Sequence, residues 1–197
     1  GRICVLAVFG RQSSGSRFHG YNFKPFIIGG IRLKVTTEYI EQLINKYGDT
    51  ALRVAFTYLK NRADAEDAVQ DAFLRIINKK PEFADDEHAR LWIIKTTANI
   101  CKNKLNLFWN RNRCSADDIA EQGVYDTYGT DSSVTKAVMS LPQKYRAVIY
   151  LYYYEGYKTP EIAKITGSGE ATARSLLHRA RGKLKEILKE EYDFATV

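Results

Sequence analysis

Cysteine is scarce and poorly placed for a staple or a metal site. Cys4, Cys101 and Cys114 are the only three, irregularly spaced, with no CxxC pair and no nearby histidine to complete a zinc site. A reduced, cytoplasmic chain without a disulfide framework or metal centre is therefore the expectation. Long apolar runs are also missing. Ile3 to Phe9 is followed by polar Gln12, Ser13 and Ser14, so it is too short for a membrane span and poor as a signal-peptide core, and no membrane insertion is expected. The phosphate loop GxxxxGK[ST], the metalloprotease HExxH and the dinucleotide fingerprint GxGxxG are absent, and no nucleophile is paired with a base. The sequence thus offers no catalytic residue and no cofactor site, which argues against an enzyme. Acids are missing from the N-terminal stretch: residues 1–35 hold six basic residues and no acidic one. The single methionine is Met139 and residue 1 is glycine, so residues 1–35 are expected to be a tag, a translated leader or a disordered basic arm outside the fold.

What is present is apolar periodicity and uneven charge. With 197 residues and 45% apolar content the chain can build one medium core or two small ones. Its net charge of +7 is distributed unevenly. Residues 36–110 balance eleven basic against eleven acidic residues, 111–131 are acidic (two against five), and 132–190 are basic (eleven against five), with a short acidic tail at 191–197. Positive charge therefore collects in the C-terminal part, as phosphate neutralisation requires.

That part carries the clearest pattern. Ala173, Leu176, Leu177, Ala180, Leu184, Ile187 and Leu188 recur at steps of three and four and form one stripe of a helix, with Arg174, Ser175, His178, Arg179, Lys183 and Lys185 on the other side. A short helix over Pro160 to Ile165, with Thr159 as N-cap, and a break at Thr166-Gly167-Ser168-Gly169 precede it. Helix, tight turn and basic helix is how a chain presents a helix to the major groove. The candidate contact face is Glu170, Thr172, Arg174, Ser175, His178 and Arg179, with the two arginines suited to guanine edges or phosphates. An ordinary solvated basic helix is the plainer alternative. Upstream, Leu141-Pro142 starts a helix through Tyr154, with Tyr145, Val148, Ile149, Leu151 and Tyr152 turned inward and the run Tyr152 to Tyr154 as packing.

The first half is expected to be helical as well. Tyr39 to Tyr47 forms a helix that pauses at Gly48-Asp49, and Ala51 to Leu59 forms another. Asp64 caps a helix with the stripe Ala65, Ala68, Val69, Ala72, Phe73, Ile76 and Ile77, ending before Pro81; its outer face holds Asp67, Gln70 and Asp71, acids that the helix dipole alone would explain in part. After a loop at Glu82 to His88, a helix over Ala89 to Phe108 buries Leu91, Ile94, Ala98, Cys101, Leu105 and Phe108. Trp92, Lys95, Asn99 and Lys102 lie elsewhere around it, a set suited to stacking an unpaired base beside held phosphates, unless Trp92 belongs to the core. Periodicity then fades over 111–131, a linker longer than connections inside compact domains usually are. The fold class is all-α, two small helical bundles joined by a flexible linker, the second containing a helix-turn-helix.

Two such bundles resemble the extracytoplasmic-function (ECF) class of bacterial RNA polymerase sigma factors. The resemblance runs from about Tyr39 to Leu188 and rests on YGDTALRVAFTYLKNRADAEDAVQDAFLRI and HARLWIIKTTANICKNKL in the first half, and on LPQKYRAVIYLYYYEGYKTPEIAKITG and EATARSLLHRARGKL in the second. It implies that residues 36–110 are similar to sigma region two, with Asp67, Gln70 and Asp71 on the clamp helices of the polymerase largest subunit. Trp92, Lys95, Asn99 and Lys102, with the preceding loop, would open and capture the minus-10 element. Residues 132–190 would be similar to region four, with Glu170, Thr172, Arg174, Ser175, His178 and Arg179 at the minus-35 element and the outer surface of the bundle on the polymerase flap. Core polymerase, promoter DNA and an anti-sigma factor are the implied partners. An autonomous helix-turn-helix regulator is the competing reading, although neither a heptad seam nor a ligand-type domain is present. The chain departs from the family at Thr166, Ser168 and Ala173, where larger or apolar residues are usual, and at Leu91, where a small one is; each change in the turn is expected to remove a core contact of about 1–3 kcal/mol.

Overall fold

The computed structural model describes residues 37–112 and 133–194, and among these every regular element is a helix. They are α1 (Thr37–Leu59), α2 (Arg62–Lys79), α3 (Asp86–Asn112), α4 (Ser133–Ser140), α5 (Gln143–Tyr153), α6 (Thr159–Thr166) and α7 (Glu170–Phe194). The first three pack on one another, and α7 packs on α4, α5 and α6. The readings of residues 1–35 and of most of the 111–131 linker lie outside the described residues.

The pause expected at Gly48-Asp49 is absent, and α1 runs unbroken through it. An interior glycine weakens a helix by about 1 kcal/mol relative to alanine. Leu43, Tyr47, Ala51, Val54, Ala55 and Tyr58 are buried along one face of α1, and that burial outweighs the loss.

α2 begins one turn earlier than expected. Its N-cap is Asn61, whose side-chain oxygen accepts from the Asp64 backbone N–H at 3.1 Å, so Asp64 is the capped residue and not the cap. The stripe from Ala65 to Ile76 is buried, but Ile77, expected inside, is 38% exposed. α3 also starts before Ala89, because the Asp85 carboxylate accepts from the His88 N–H at 2.7 Å and draws the supposed loop residues 86–88 into the first turn. Its buried face is wider than one stripe: Ile93, Thr97 and Ile100 are enclosed along with Ile94, Ala98 and Cys101, because α3 packs against α1, α2 and α6 together. Leu91 and Leu105 are half-buried and Phe108 is 45% exposed, so the stripe does not continue to its expected end.

Cys101 sits at the centre of this packing, and burial pushes its thiol up to about 12. A raised thiol pKa favours the protonated folded state. That contribution is complete below the free-thiol value of about 8.5 and is lost as pH climbs toward the folded value. Iodoacetamide at pH 8 will therefore leave Cys101 unmodified in the native protein and alkylate it in guanidinium. Peptide mass mapping reads the result, and equal labelling in both states would refute the enclosed thiol.

In the second half α5 buries Tyr145, Ala147, Val148, Ile149 and Leu151, and also Arg146, which is only 3% exposed. Tyr152 is half-buried, whereas Tyr153 (56%) and Tyr154 (51%) are exposed and add little to the core. Gly156, with φ of +72°, turns the chain toward α6. The N-cap of α6 is Lys158 rather than Thr159, and the Glu161 carboxylate accepts from the Lys158 N–H at 2.7 Å. α7 continues to Phe194, past the boundary expected at residue 190. The two sets of helices also touch, α1 against α5 and α3 against α6, a contact that leaves no trace in residue spacing.

Candidate nucleic-acid and protein interfaces

The turn between α6 and α7 is held by polar bonds at Thr166 and Ser168, where the loss of aliphatic contacts was expected. Gly167 adopts φ of +66°, a left-handed position that only glycine takes at no cost, and its N–H closes on the Ala163 carbonyl. The Thr166 hydroxyl lies 2.8 Å from the Ser168 hydroxyl and donates to the Ile162 carbonyl at 2.8 Å. The departures at Thr166 and Ser168 therefore satisfy each other and leave no buried hydroxyl stranded. Ala173 is fully buried and joins Ile162, Ile165, Leu177 and Ala180 beneath the turn.

With that stripe facing inward, Glu170, Thr172, Arg174, Ser175, His178 and Arg179 are all exposed on the outer side of α7. Arg174 Nη2 rests 2.6 Å from a Glu170 carboxylate oxygen, with side chains 70% and 49% exposed. An exposed pair one helical turn apart contributes about 0.3–0.5 kcal/mol, so it does little to hold the arginine in place.

A second face lies on α2. Asp67 and Asp71 are exposed one turn apart with Gln70 half-buried between them. Lys104 of α3 approaches Asp67 at 3.7 Å, and its Nζ also donates to the Asp64 carbonyl at 3.5 Å. Negative charge thus projects from one face of a rigid helix.

A third face lies on α3, where Trp92, Lys95, Asn99 and Lys102 follow one another at helical spacing. Lys95 is exposed and the other three are half-buried. Trp92 is half-buried against the core, and Phe83 meets it edge-on with centroids 5.8 Å apart, while His88 meets Phe83 at 5.8 Å. Residue spacing pointed to Trp92 alone; the hint missed was His88, four residues earlier on the same face. Lys102 does not face outward with the rest. Its ammonium donates to the Thr166 carbonyl at 3.0 Å, and burial, with Lys95 nearby, lowers its pKa.

Among the described residues no group of three or more His, Cys, Asp or Glu is placed to hold a metal ion, and no helix is long and apolar enough to cross a membrane. The three faces can bind, through charge, stacking and a groove-sized helix.

An anionic helix, a cationic aromatic-bearing helix and a helix-turn-helix on one chain match two known regions in order. Residues 43–107 match Sigma-70 region 2 and residues 132–184 match Sigma-70, region 4. The chain is 30% identical over 156 residues to ECF RNA polymerase sigma factor SigL of Mycobacterium tuberculosis, covering 75% of this chain and 88% of that protein. It is 28% identical over 146 residues to RNA polymerase sigma factor SigV of Bacillus subtilis, covering 71% and 84%. The fold is shared with the sigma factor RpoE from Bartonella quintana, solved in complex with the anti-sigma factor NepR, at a TM-score of 0.62 and 20% identity, covering 78% of this chain and 98% of that one. The chain belongs to the ECF class of RNA polymerase sigma factors.

Proposed function

We propose that the three faces divide the work of promoter-specific initiation. Asp67, Gln70 and Asp71 on α2 bind the clamp helices of core RNA polymerase, and the outer surface of the α4–α7 bundle meets the flap. Trp92, Lys95, Asn99 and Lys102 on α3 capture the opened minus-10 element. Glu170, Thr172, Arg174, Ser175, His178 and Arg179 on α7 read the minus-35 element. In this scheme residues 36–110 and 132–190 are the two working domains and 111–131 the strap between them, with residues 1–35 and 191–197 outside. The protein performs no covalent chemistry, needs no cofactor and acts in the cytoplasm beside polymerase. An anti-sigma factor is a further partner, by analogy with the complex in which RpoE was solved.

The observation that carries the proposal is the pairing, on one chain, of an exposed acidic face on α2 with an exposed basic face on α7. One good base contact supplies about 1–3 kcal/mol of discrimination, too little to select a promoter among millions of sites. Two tethered readers act together, because a linker holds the second at an effective concentration of about millimolar once the first is bound.

Run-off transcription with purified core polymerase tests this. Promoter-dependent transcripts that require both proteins are expected; tight, specific DNA binding without core, and no transcript with it, would favour an autonomous regulator. Within the same assay Arg174→Ala will lower transcription from a matched promoter by about tenfold, the lower half of the range for one lost base contact. Equal output of wild type and variant on matched and scrambled upstream sequences would remove Arg174 from the reading face.

A further inference from the structure

The loop that leads into α3 ends on a histidine held in one chemical form. Residues 81–85 close on the first turn of α3 through two bonds to the same residue. The Asp85 carboxylate accepts from the His88 backbone N–H at 2.7 Å, and the His88 ring nitrogen Nδ1 accepts from the Ala84 N–H at 3.2 Å. A nitrogen that accepts carries no proton, so in the neutral ring the proton sits on Nε2. The two ring nitrogens point apart, and with Nδ1 turned to the loop backbone the Nε2–H is directed away from it. His88 is exposed, and its ring makes no other hydrogen bond among the described residues.

Beside that donor stand two larger rings. Phe83 meets His88 at an interplanar angle of 89° and Trp92 at 71°. Phe83 and Trp92 are half-buried against the core, which fixes them while leaving part of each in water. A base drawn out of a duplex offers a flat apolar face, a phosphate and a polar edge. Trp92 serves the face and Lys95 the phosphate. The Asn99 amide carries both donors and an acceptor, so it does not by itself choose between edges; a histidine held as a donor does.

We propose that His88 is a specificity-determining residue of the minus-10 reader, its Nε2–H donating to the edge of an unpaired base stacked on Trp92 and so selecting a keto base over an amino base. Thymine and guanine present the acceptors O4 and O6 where cytosine and adenine present an amino group. A donor set against an amino group leaves both groups without a partner, so the penalty falls on the wrong base. The inference rests on α3 capturing the opened strand.

Selection from a short random single-stranded DNA library tests it, with the full chain bound to core RNA polymerase and core alone run in parallel. Sequencing the retained strands reads base preference position by position. Wild type will enrich keto over amino bases about tenfold at one position, the order expected of a single good base contact. His88→Phe, which keeps a ring beside Phe83, will lose that enrichment at that position alone. His88→Gln, which keeps an N–H donor of similar reach, will retain most of it. Keto enrichment that survives in His88→Phe, or its absence in wild type, overturns the proposal. Loss in both variants overturns it as well, because His88 would then anchor the loop without touching the base. A wild-type complex that retains no more single strand than core alone, whatever the sequence, instead refutes the reader on α3 and the contact with it.

Discussion

Replacing Asp67 and Asp71 together by lysine will cut association with core RNA polymerase by at least about tenfold while leaving helical content unchanged. Both carboxylates are exposed on α2, so the fold loses little. The one ion pair given up, Asp67 with Lys104 at 3.7 Å, joins side chains 67% and 30% exposed, and such pairs contribute about 0–1 kcal/mol. The capping that starts α2 runs through Asn61 and the Asp64 backbone, and neither is touched. At the proposed interface two negative charges become two positive ones, and like charges brought together across an interface cost several kcal/mol. Co-elution on size exclusion and a titrated Kd check the outcome. Wild-type affinity in the double variant would move the polymerase contact away from α2. A parallel loss of helicity would instead mean that these carboxylates serve the fold.

Much of this arrangement was legible in the chain because apolar spacing reports local geometry. The stripe from Ala65 to Ile76 falls inside as written, and of the stripe from Ala173 to Leu188 the residues Ala173, Leu177 and Ala180 are buried while Leu176, Leu184, Ile187 and Leu188 are half-buried; the exposed faces opposite follow from the helical repeat alone. Helix ends were less legible, because they depend on which side chain closes on which N–H. Asn61 and Asp85 do so here, and each extends a helix by residues whose own types do not demand it. The buried face of α3 is wider than its spacing shows, for a different reason. A helix with neighbours on three sides buries Ile93, Thr97 and Ile100 as well as its principal stripe, and no count along the chain reveals how many neighbours it will have.

Arg146 was the largest omission, and its cause is general. Its bonds run to backbone carbonyls, among them that of Thr57, 89 positions earlier. A carbonyl carries no residue-specific mark, so a cation that caps a distant helix end looks like any surface arginine. Thr166 and Ser168 teach the converse. Taken one at a time each reads as a lost aliphatic contact, yet the two hydroxyls lie 2.8 Å apart and form a polar turn. Pairs of departures from a family pattern have to be weighed together.

Phe73→Ala will destabilise the protein by about 3–5 kcal/mol, the range for emptying a buried aromatic site. Phe73 is 1% exposed and faces the core in which α2 meets α1 and α3. A typical domain has only about 5–15 kcal/mol in total, so the variant will melt early and lose promoter-directed activity through unfolding rather than through lost contacts. Ile77, four residues further along α2, provides the comparison. It is 38% exposed, and Ile77→Ala will cost less than about 1.5 kcal/mol, since much of its side chain is already in water. Urea melts of the two variants followed by circular dichroism separate them. Similar losses at both positions would mean that α2 is rotated from the orientation that aims Asp67 and Asp71 outward, and the acidic face would have to be assigned again. A large loss at Phe73 beside a small one at Ile77 fixes that orientation independently of any binding assay.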